Sequence, residues 1–159
     1  MDILYHPIGT VHSPFRDIAG MPIQPAAAEG IAGRIELSPE YREGLKDVDG
    51  FSHIIVIYHL HRAAGAGLTV TPFLDSLPRG VFATRAPTRP NPIGLSVLKL
   101  LRVEGSVLHV ENVDILDGTP VLDLKPYVPE FDHPEEIRTG WLEKARKEVR
   151  SKRSDDRFR

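Results

Sequence analysis

Residues 97–125 read VLKLLRVEGSVLHVENVDILDGTPVLDLK. Three runs rich in branched apolar residues, at 97–103, 107–115 and 121–125, are separated by Glu104-Gly105-Ser106 and by Asp117-Gly118-Thr119-Pro120. Short runs of this kind favour β-strands, and glycine next to a polar residue is typical of a hairpin turn. The stretch therefore predicts three consecutive strands joined by tight connections.

Strand patterns also dominate the rest of the chain. Residues 54–60 read IIVIYHL, which is typical of a buried strand. Residues 81–84 are a further strand candidate, and 8–12 and 33–37 are weaker ones. A succession of short strands without long intervening helices favours a barrel over βαβ units. The predicted fold is mainly β, a closed or nearly closed β-barrel with short helices and a C-terminal helix.

Two helices are predicted. Ser38-Pro39-Glu40-Tyr41 offers an N-cap serine and a proline at the first helical position. Near the end, Trp141, Ala145 and Val149 lie four residues apart, so one helical face would pack on the barrel. We expect residues 1–136 to form the barrel domain and 137–159 a C-terminal helix with a basic tail.

Composition narrows the class of protein. A chain of 159 residues with 41% hydrophobic and 26% charged residues is typical of one globular domain. The absence of cysteine excludes disulfides, thiolate nucleophiles and Cys-ligated metals. No N-terminal signal pattern and no apolar run of membrane-spanning length is present, so a cytoplasmic protein without a membrane partner is expected. The basic tail could contact phosphates or be a solvated helix face.

The loop before the central stretch, residues 85–96, reads RAPTRPNPIGLS. Its three prolines remove backbone donors and restrict φ, so neither a helix nor a central strand is expected through it. Such a stiff loop would hold Arg85, Arg89 and Asn91 in fixed directions, which suits a preorganised polar site. The alternative is a proline-rich surface connector.

The alternation of apolar and polar residues along 121–127 predicts a second group of polar side chains. If Leu122 and Leu124 face the core, Asp123, Lys125 and Tyr127 share the opposite face. Charged residues on one face of a strand are more often simply solvated.

Two other patterns were weighed as ligand sites. His59 and His61 lie on the same side of a strand and could bind a metal, but no carboxylate follows at a useful spacing. Gly65-Ala66-Gly67 is followed by LTVTP instead of a helix, which excludes a dinucleotide-binding unit.

Four motifs together resemble a known family. They are Ile8 to Phe15 (IGTVHSPF), Gly50 to His53 (GFSH), the loop 85–96, and Asp117 to Tyr127 (DGTPVLDLKPY), in this order. The chain is similar over about Ile8 to Tyr127 to the TsaA-like (YaeB, TrmO) family, which comprises S-adenosylmethionine-dependent tRNA methyltransferases built on a β-barrel.

The resemblance implies S-adenosylmethionine as cofactor, no metal, and a set of site residues. The cofactor-binding positions that it implies are Gln24, His61, Arg62, Arg85, Leu95, Asp114, Ile115, Leu116 and Asp117. The substrate-binding positions that it implies are Arg89, Asn91, Lys125 and Tyr127. Asp123 or Asp114 would act as the catalytic base. Where the family carries Pro-Arg-Gln, this chain has Pro22-Ile23-Gln24, which removes a charged donor.

The implied reaction is N6-methylation of the adenosine just 3′ of the tRNA anticodon, at position 37, usually bearing a threonylcarbamoyl group. The partners would be tRNA and a second copy of the chain, with the cofactor sites close to the dimer interface. Two alternatives remain: a non-catalytic RNA- or nucleotide-binding β-barrel, and a metal-dependent barrel enzyme using His59 and His61.

Overall fold

The computed structural model describes residues 1–23, 25–143 and 153–155. Its strands are β1 (Gly9–His12), β2 (Ala32–Leu37), β3 (His53–His59), β4 (Thr69–Val70), β5 (Arg79–Gly80), β6 (Ile93–Glu104), β7 (Val107–Glu111) and β8 (Pro120–Pro126). Six of them close an antiparallel barrel in the order β1-β2-β7-β6-β3-β8, and β8 pairs again with β1. β4 and β5 form a separate two-stranded sheet. The predicted mainly β, barrel fold is confirmed.

The barrel interior is filled by branched aliphatic side chains. Because side chains alternate along a strand, every second residue of β3 and of most of β6 is buried. Ile35, Ile54, Leu98 and Leu108 are at most 1% exposed. Each such burial contributes about 1.5–3 kcal/mol, so the core stabilises the strand ends that carry the loops.

The helical segments are short. α1 (Pro129–Asp132) is the one α-helix in the described part of the chain. The 3₁₀ helices span Pro25–Ala27, Pro39–Leu45, Val48–Gly50, Val81–Ala83 and Gly140–Glu143.

One local prediction was wrong, and another was confirmed in position but not in its cap. The segment predicted as a strand at 81–84 is a 3₁₀ turn, because Thr84 donates its backbone N–H to Val81 and closes a turn. The short helix predicted after Ser38 is present as the 3₁₀ helix Pro39–Leu45, although the Ser38 side chain makes no capping hydrogen bond.

The boundaries of two predicted strands also moved. β6 begins at Ile93, inside the proline-rich loop, because the last proline is at position 92 and pairing with β3 starts directly after it. The strand predicted over 107–115 ends at Glu111, because Asn112 adopts a left-handed conformation with φ of 66° and turns the chain. The residues that follow form a loop instead of a strand end.

A β-bulge changes which residues of β8 face the core. Ile57 pairs with Asp123 but Tyr58 pairs with Val121, so Leu122 is the extra residue. Val121 and Leu124 consequently contact the core, and the prediction that Leu122 and Leu124 do so was wrong for Leu122. Asp123 and Lys125 share a face as predicted, since their side chains form an ion pair at 2.7 Å.

The predicted C-terminal helix and basic tail lie mostly outside the described residues. Of that segment, Gly140–Glu143 forms a 3₁₀ helix, and Arg153 pairs with Pro22 in an isolated bridge. Among the described residues, no helix has the length and apolarity needed to cross a membrane.

Candidate functional site

A cavity of about 770 Å³ opens at the end of the barrel where β3 ends and β8 begins. Its size falls in the range of about 300–1,000 Å³ that is typical of small-molecule sites. Its walls are mostly apolar and come mainly from the segment after β3, residues 82–87 at the start of the proline-rich loop, and the loop between β7 and β8. The cavity is therefore built by loops that the barrel holds together.

The floor of the cavity is formed by Tyr58 and Asp114, which are linked through the buried Ser96. The Ser96 hydroxyl donates to Asp114 Oδ1 at 2.7 Å, and the Tyr58 hydroxyl lies 3.1 Å from Ser96 Oγ. With the serine proton directed at the carboxylate, the Tyr58 hydroxyl donates to Ser96 Oγ. Tyr58 is 8% and Ser96 1% exposed, so this set of side chains is held rigidly by the core.

Gly94 makes room for this arrangement. A Cβ atom at position 94 would collide with the Tyr58 ring, which packs directly over it from the neighbouring strand. The glycine of the Asn-Pro-Ile-Gly motif is thus required for close packing beneath the site.

Burial raises the pKa values of both titratable groups on this floor, Asp114 and Tyr58. Desolvation raises the pKa of Asp114 from 3.8 to about 7, against the hydrogen bond from Ser96 and the positive charge of Arg85. Burial, and then the charge of Asp114, raise the pKa of Tyr58 well above its usual value. Near neutral pH Tyr58 therefore keeps its proton and can donate a hydrogen bond, while Asp114 is present in both its protonated and its charged form.

A second polar group lines the cavity from the turn after β3. Burial, followed by the charges of Arg62 and His59, lowers the pKa of His61. Its Nδ1 lies 3.4 Å from the hydroxyl of Thr119, and Arg62 donates to the Arg16 carbonyl at 3.2 Å. His61 is consequently a neutral hydrogen-bonding group at neutral pH.

The structure brings together six of the nine residues predicted for the cofactor. These residues line the cavity: His61, Arg62, Arg85, Asp114, Ile115 and Leu116. Ile115 and Leu116 are 2% and 9% exposed and offer an apolar surface beside the Asp114 carboxylate. Gln24 lies outside the described residues.

Two predicted cofactor residues do not line the cavity. Leu95 lies on the outer face of β6, where 46% of it is exposed. Asp117 Oδ1 accepts the Ser13 backbone N–H at 3.1 Å, and its carboxylate oxygens lie 3.8 Å from His12 and 3.7 Å from Arg16. Asp117 thus anchors the segment after β1, next to the cavity wall.

The four predicted substrate residues also lie outside the cavity lining. Arg89 donates to the carbonyls of Thr84 and Ala86, both at 3.3 Å, and so braces the segment that carries Arg85. The neighbouring Asn91 accepts a backbone hydrogen bond from Ile93 at 2.7 Å.

Lys125 and Tyr127 are near the far end of β8. Lys125 pairs with Asp123, and the hydrogen bond to this carboxylate raises the pKa of the lysine. The Tyr127 ring contacts His53 edge-on at a centroid distance of 6.3 Å, at the opposite end of β3 from Tyr58. Of the two predicted bases, Asp114 lines the cavity and Asp123 does not.

Several residues in or next to the cavity were missed from the sequence. Tyr58 and Ser96 occupy core-facing positions of β3 and β6, and a polar residue at such a position was a detectable signal. Trp141 and Ser154 reach the cavity from the C-terminal segment, and no motif pointed to them. Ser154 is held there by backbone hydrogen bonds to Gly20 and Met21.

The histidine pair has no metal-binding surroundings in the part of the chain that the structure describes. There, no group of three or more His, Asp or Glu side chains is arranged to hold a metal ion.

Comparison with known proteins identifies the class. Residues 10–133 match the family of the tRNA-methyltransferase O N-terminal domain. A crystal structure of TrmO superposes with a TM-score of 0.77 at 40% identity, covering 88% of this chain and 64% of that one. The TrmO structure from Pseudomonas aeruginosa gives a TM-score of 0.75 at 39% identity, covering 89% of this chain and 63% of that one. This chain belongs to the tRNA-methyltransferase O N-terminal domain family.

Two curated relatives illustrate the range of the family. A probable S-adenosyl-L-methionine-binding protein of Pyrococcus abyssi is 56% identical over 156 residues, which cover 98% of this chain and 85% of the relative. The human tRNA (adenine(37)-N6)-methyltransferase is 36% identical over 145 residues, covering 86% of this chain and 32% of that protein. The chain therefore spans about a third of the human enzyme and less than two thirds of the superposed TrmO chains.

Proposed function

We propose that this chain binds S-adenosyl-L-methionine in the cavity and methylates N6 of the adenosine at position 37 of tRNA, including adenosine that bears a threonylcarbamoyl group. The observation that carries the proposal is the Asp114 carboxylate, which stands on the floor of a mostly apolar cavity in a member of this family. A cytoplasmic location is part of this proposal, and its support is the proposed tRNA substrate.

The side chains present fit the cofactor. Ile115 and Leu116 supply an apolar surface for a planar ring, and Asp114 supplies a negative charge for a cationic sulfonium or an acceptor for an amino group. Arg85 supplies a positive charge near the same floor, which suits a carboxylate. Arg62 and His61 also line the cavity and would supply further hydrogen-bonding groups for the cofactor.

In the proposed mechanism the protein acts through position and proton transfer. When bound, S-adenosyl-L-methionine supplies a methyl group on a sulfonium, and its transfer to nitrogen breaks the S–C bond and leaves the electron pair on sulfur. Asp114 accepts a hydrogen bond from the exocyclic N–H of the adenine and then takes that proton as the N–C bond forms. Its pKa of about 7 matches the operating pH of a general base.

Ser96 and Tyr58 position the base. The Ser96 hydroxyl donates to Asp114 Oδ1, which would leave Oδ2 to accept the hydrogen bond from the substrate. Tyr58 in turn orients the Ser96 hydroxyl at 3.1 Å. A fixed donor–acceptor geometry of this kind lowers the reorganisation that the transfer requires.

Pairing of two copies through the outer face of β3 and β6 is a further part of the proposal. Ile57 faces Leu95 and Ile55 faces Val97 across these strands, and Ile93 and Leu95 are 41% and 46% exposed. An apolar strip on a barrel exterior is typical of a protein interface. Light scattering should give a dimer for the wild type and a monomer for Leu95→Lys, whereas Leu77→Lys, an exposed leucine in a loop, should remain dimeric. A monomeric wild type would contradict the pairing.

Methyl transfer to RNA tests the proposed function. Anticodon stem–loop RNAs with adenosine or guanosine at position 37, with and without the threonylcarbamoyl group, are incubated with labelled S-adenosyl-L-methionine and analysed by mass spectrometry. We expect N6-methyladenosine from the wild type and none from Asp114→Asn, while Asp123→Asn serves as the control outside the cavity. Binding of RNA and cofactor without turnover would favour the non-catalytic barrel instead.

A further inference from the structure

Two aromatic side chains stand at the mouth of the cavity. Phe82 lines the cavity while 75% of it is exposed, and Trp141 lines it from the C-terminal segment, beyond the matched family residues 10–133. A large exposed aromatic ring beside an apolar cavity is unfavourably hydrated until a ligand covers it. Such a ring therefore marks a contact surface for a ligand.

The orientation of Trp141 is fixed by its neighbours. Its indole N–H donates to the Ala83 carbonyl at 2.8 Å, and the Arg79 guanidinium lies 5.7 Å from the ring centroid. Arg79 is itself held by two contacts of 2.7 Å to Asp75. A ring held in this way loses little freedom when a ligand stacks on it.

The backbone of Phe82 is anchored just as firmly. Val81 is fully buried in a second apolar cluster with Val70 and Ala86, and its N–H donates to the Leu68 carbonyl at 2.9 Å. The 3₁₀ turn Val81–Ala83 then directs residue 82 towards solvent at the rim of the cavity. Phe82 and Trp141 both line the cavity, and the Trp141 indole is hydrogen-bonded to Ala83, the residue next to Phe82.

We propose that Phe82 and Trp141 form a stacking subsite for the nucleobase that receives the methyl group. Enzymes that modify a base take it out of its stack and hold it between aromatic or apolar side chains. The two rings would hold the adenine at the rim, with its amino group directed inward to Asp114 on the floor. This inference rests on the proposed function, and it assigns the substrate side of the cavity.

The experiment pairs a change in the protein with a change in the RNA. Dissociation constants are measured for anticodon stem–loop RNAs that carry either adenosine or an abasic nucleotide at position 37. The proteins are the wild type, Phe82→Ala, Phe82→Tyr and the control Phe131→Ala, an 83% exposed phenylalanine in α1 away from the cavity. The affinity for S-adenosyl-L-methionine and the thermal unfolding midpoint are recorded for each.

Loss of base stacking predicts a specific pattern. Phe82→Ala should bind the adenosine RNA about 5- to 150-fold more weakly, with little change for the abasic RNA, because a stacked base is lost only in the first case. Phe82→Tyr should retain most of the affinity, and Phe131→Ala should match the wild type. Trp141→Phe should likewise retain more affinity than Trp141→Ala.

Three results would overturn the inference. They are an equal loss for both RNAs, no loss for either RNA, or a loss confined to S-adenosyl-L-methionine binding, which would assign the rings to the cofactor. Failure of the proposed function is distinguishable, because then the wild type itself transfers no methyl group to any adenosine RNA. An active wild type with an unchanged Phe82→Ala variant would contradict the stacking subsite alone.

Discussion

The ionisation of Asp114 predicts how stability depends on pH. Because burial raises the pKa of this carboxyl in the folded protein, the folded state binds its proton more tightly than the unfolded state. The stability contributed by the protonated acid is fully present below pH 3.8 and is lost as the pH rises through about 7. Asp114→Asn removes the charged form at nearly constant shape, so the variant should not undergo this loss.

The magnitude follows from the two pKa values. The interval between 3.8 and about 7 corresponds to about 4 kcal/mol of unfolding free energy at most. Since the side chain is only partly buried, we expect about 2–4 kcal/mol. The difference in unfolding free energy, Asp114→Asn minus wild type, should rise by this amount between pH 4 and pH 8.

Urea unfolding at four or five pH values measures this difference. Other titrating groups are common to both proteins and cancel, so the difference isolates Asp114. Asp123→Asn, which breaks an exposed ion pair, is the matched control and should change by less than about 1 kcal/mol over the same range. A difference for Asp114→Asn that is the same at pH 4 and pH 8 would refute the assignment of a desolvated, easily protonated carboxyl.

Three further predictions concern the same site. Gly94→Ala should destabilise the protein by about 1–3 kcal/mol and lower the rate of methyl transfer, because the Tyr58 ring must move off Gly94 and release Ser96. An unchanged midpoint of urea unfolding and an unchanged rate of methyl transfer would contradict this prediction. Arg85→Ala should weaken S-adenosyl-L-methionine binding by about tenfold with an unchanged thermal midpoint, and equal affinity in calorimetry would remove Arg85 from the site. Dialysis against a chelator should leave methyl transfer unchanged, and loss of activity that zinc restores would instead favour the metal-dependent alternative at His59 and His61.

Some residues of the site could be predicted because they belong to continuous stretches of sequence. Arg85 was predicted from the proline-restricted loop that it begins, whereas Asp114, Ile115 and Leu116 were predicted only from the family resemblance. Tyr58 and Ser96 are 38 positions apart, and they meet only because β3 pairs with β6 in one particular register. Strand register is a property of the whole sheet, so the positioning of Asp114 was not predicted.

Local sequence determined the class of fold, through short β-branched runs, turn glycines and the proline-rich loop, because these act on backbone conformation over a few residues. Strand order, the bulge at Leu122 and the arrival of Trp141 at Ala83 were decided by tertiary structure. Each depends on the closure of the barrel and on contacts between distant segments, whose free energy comes from packing that no local pattern encodes.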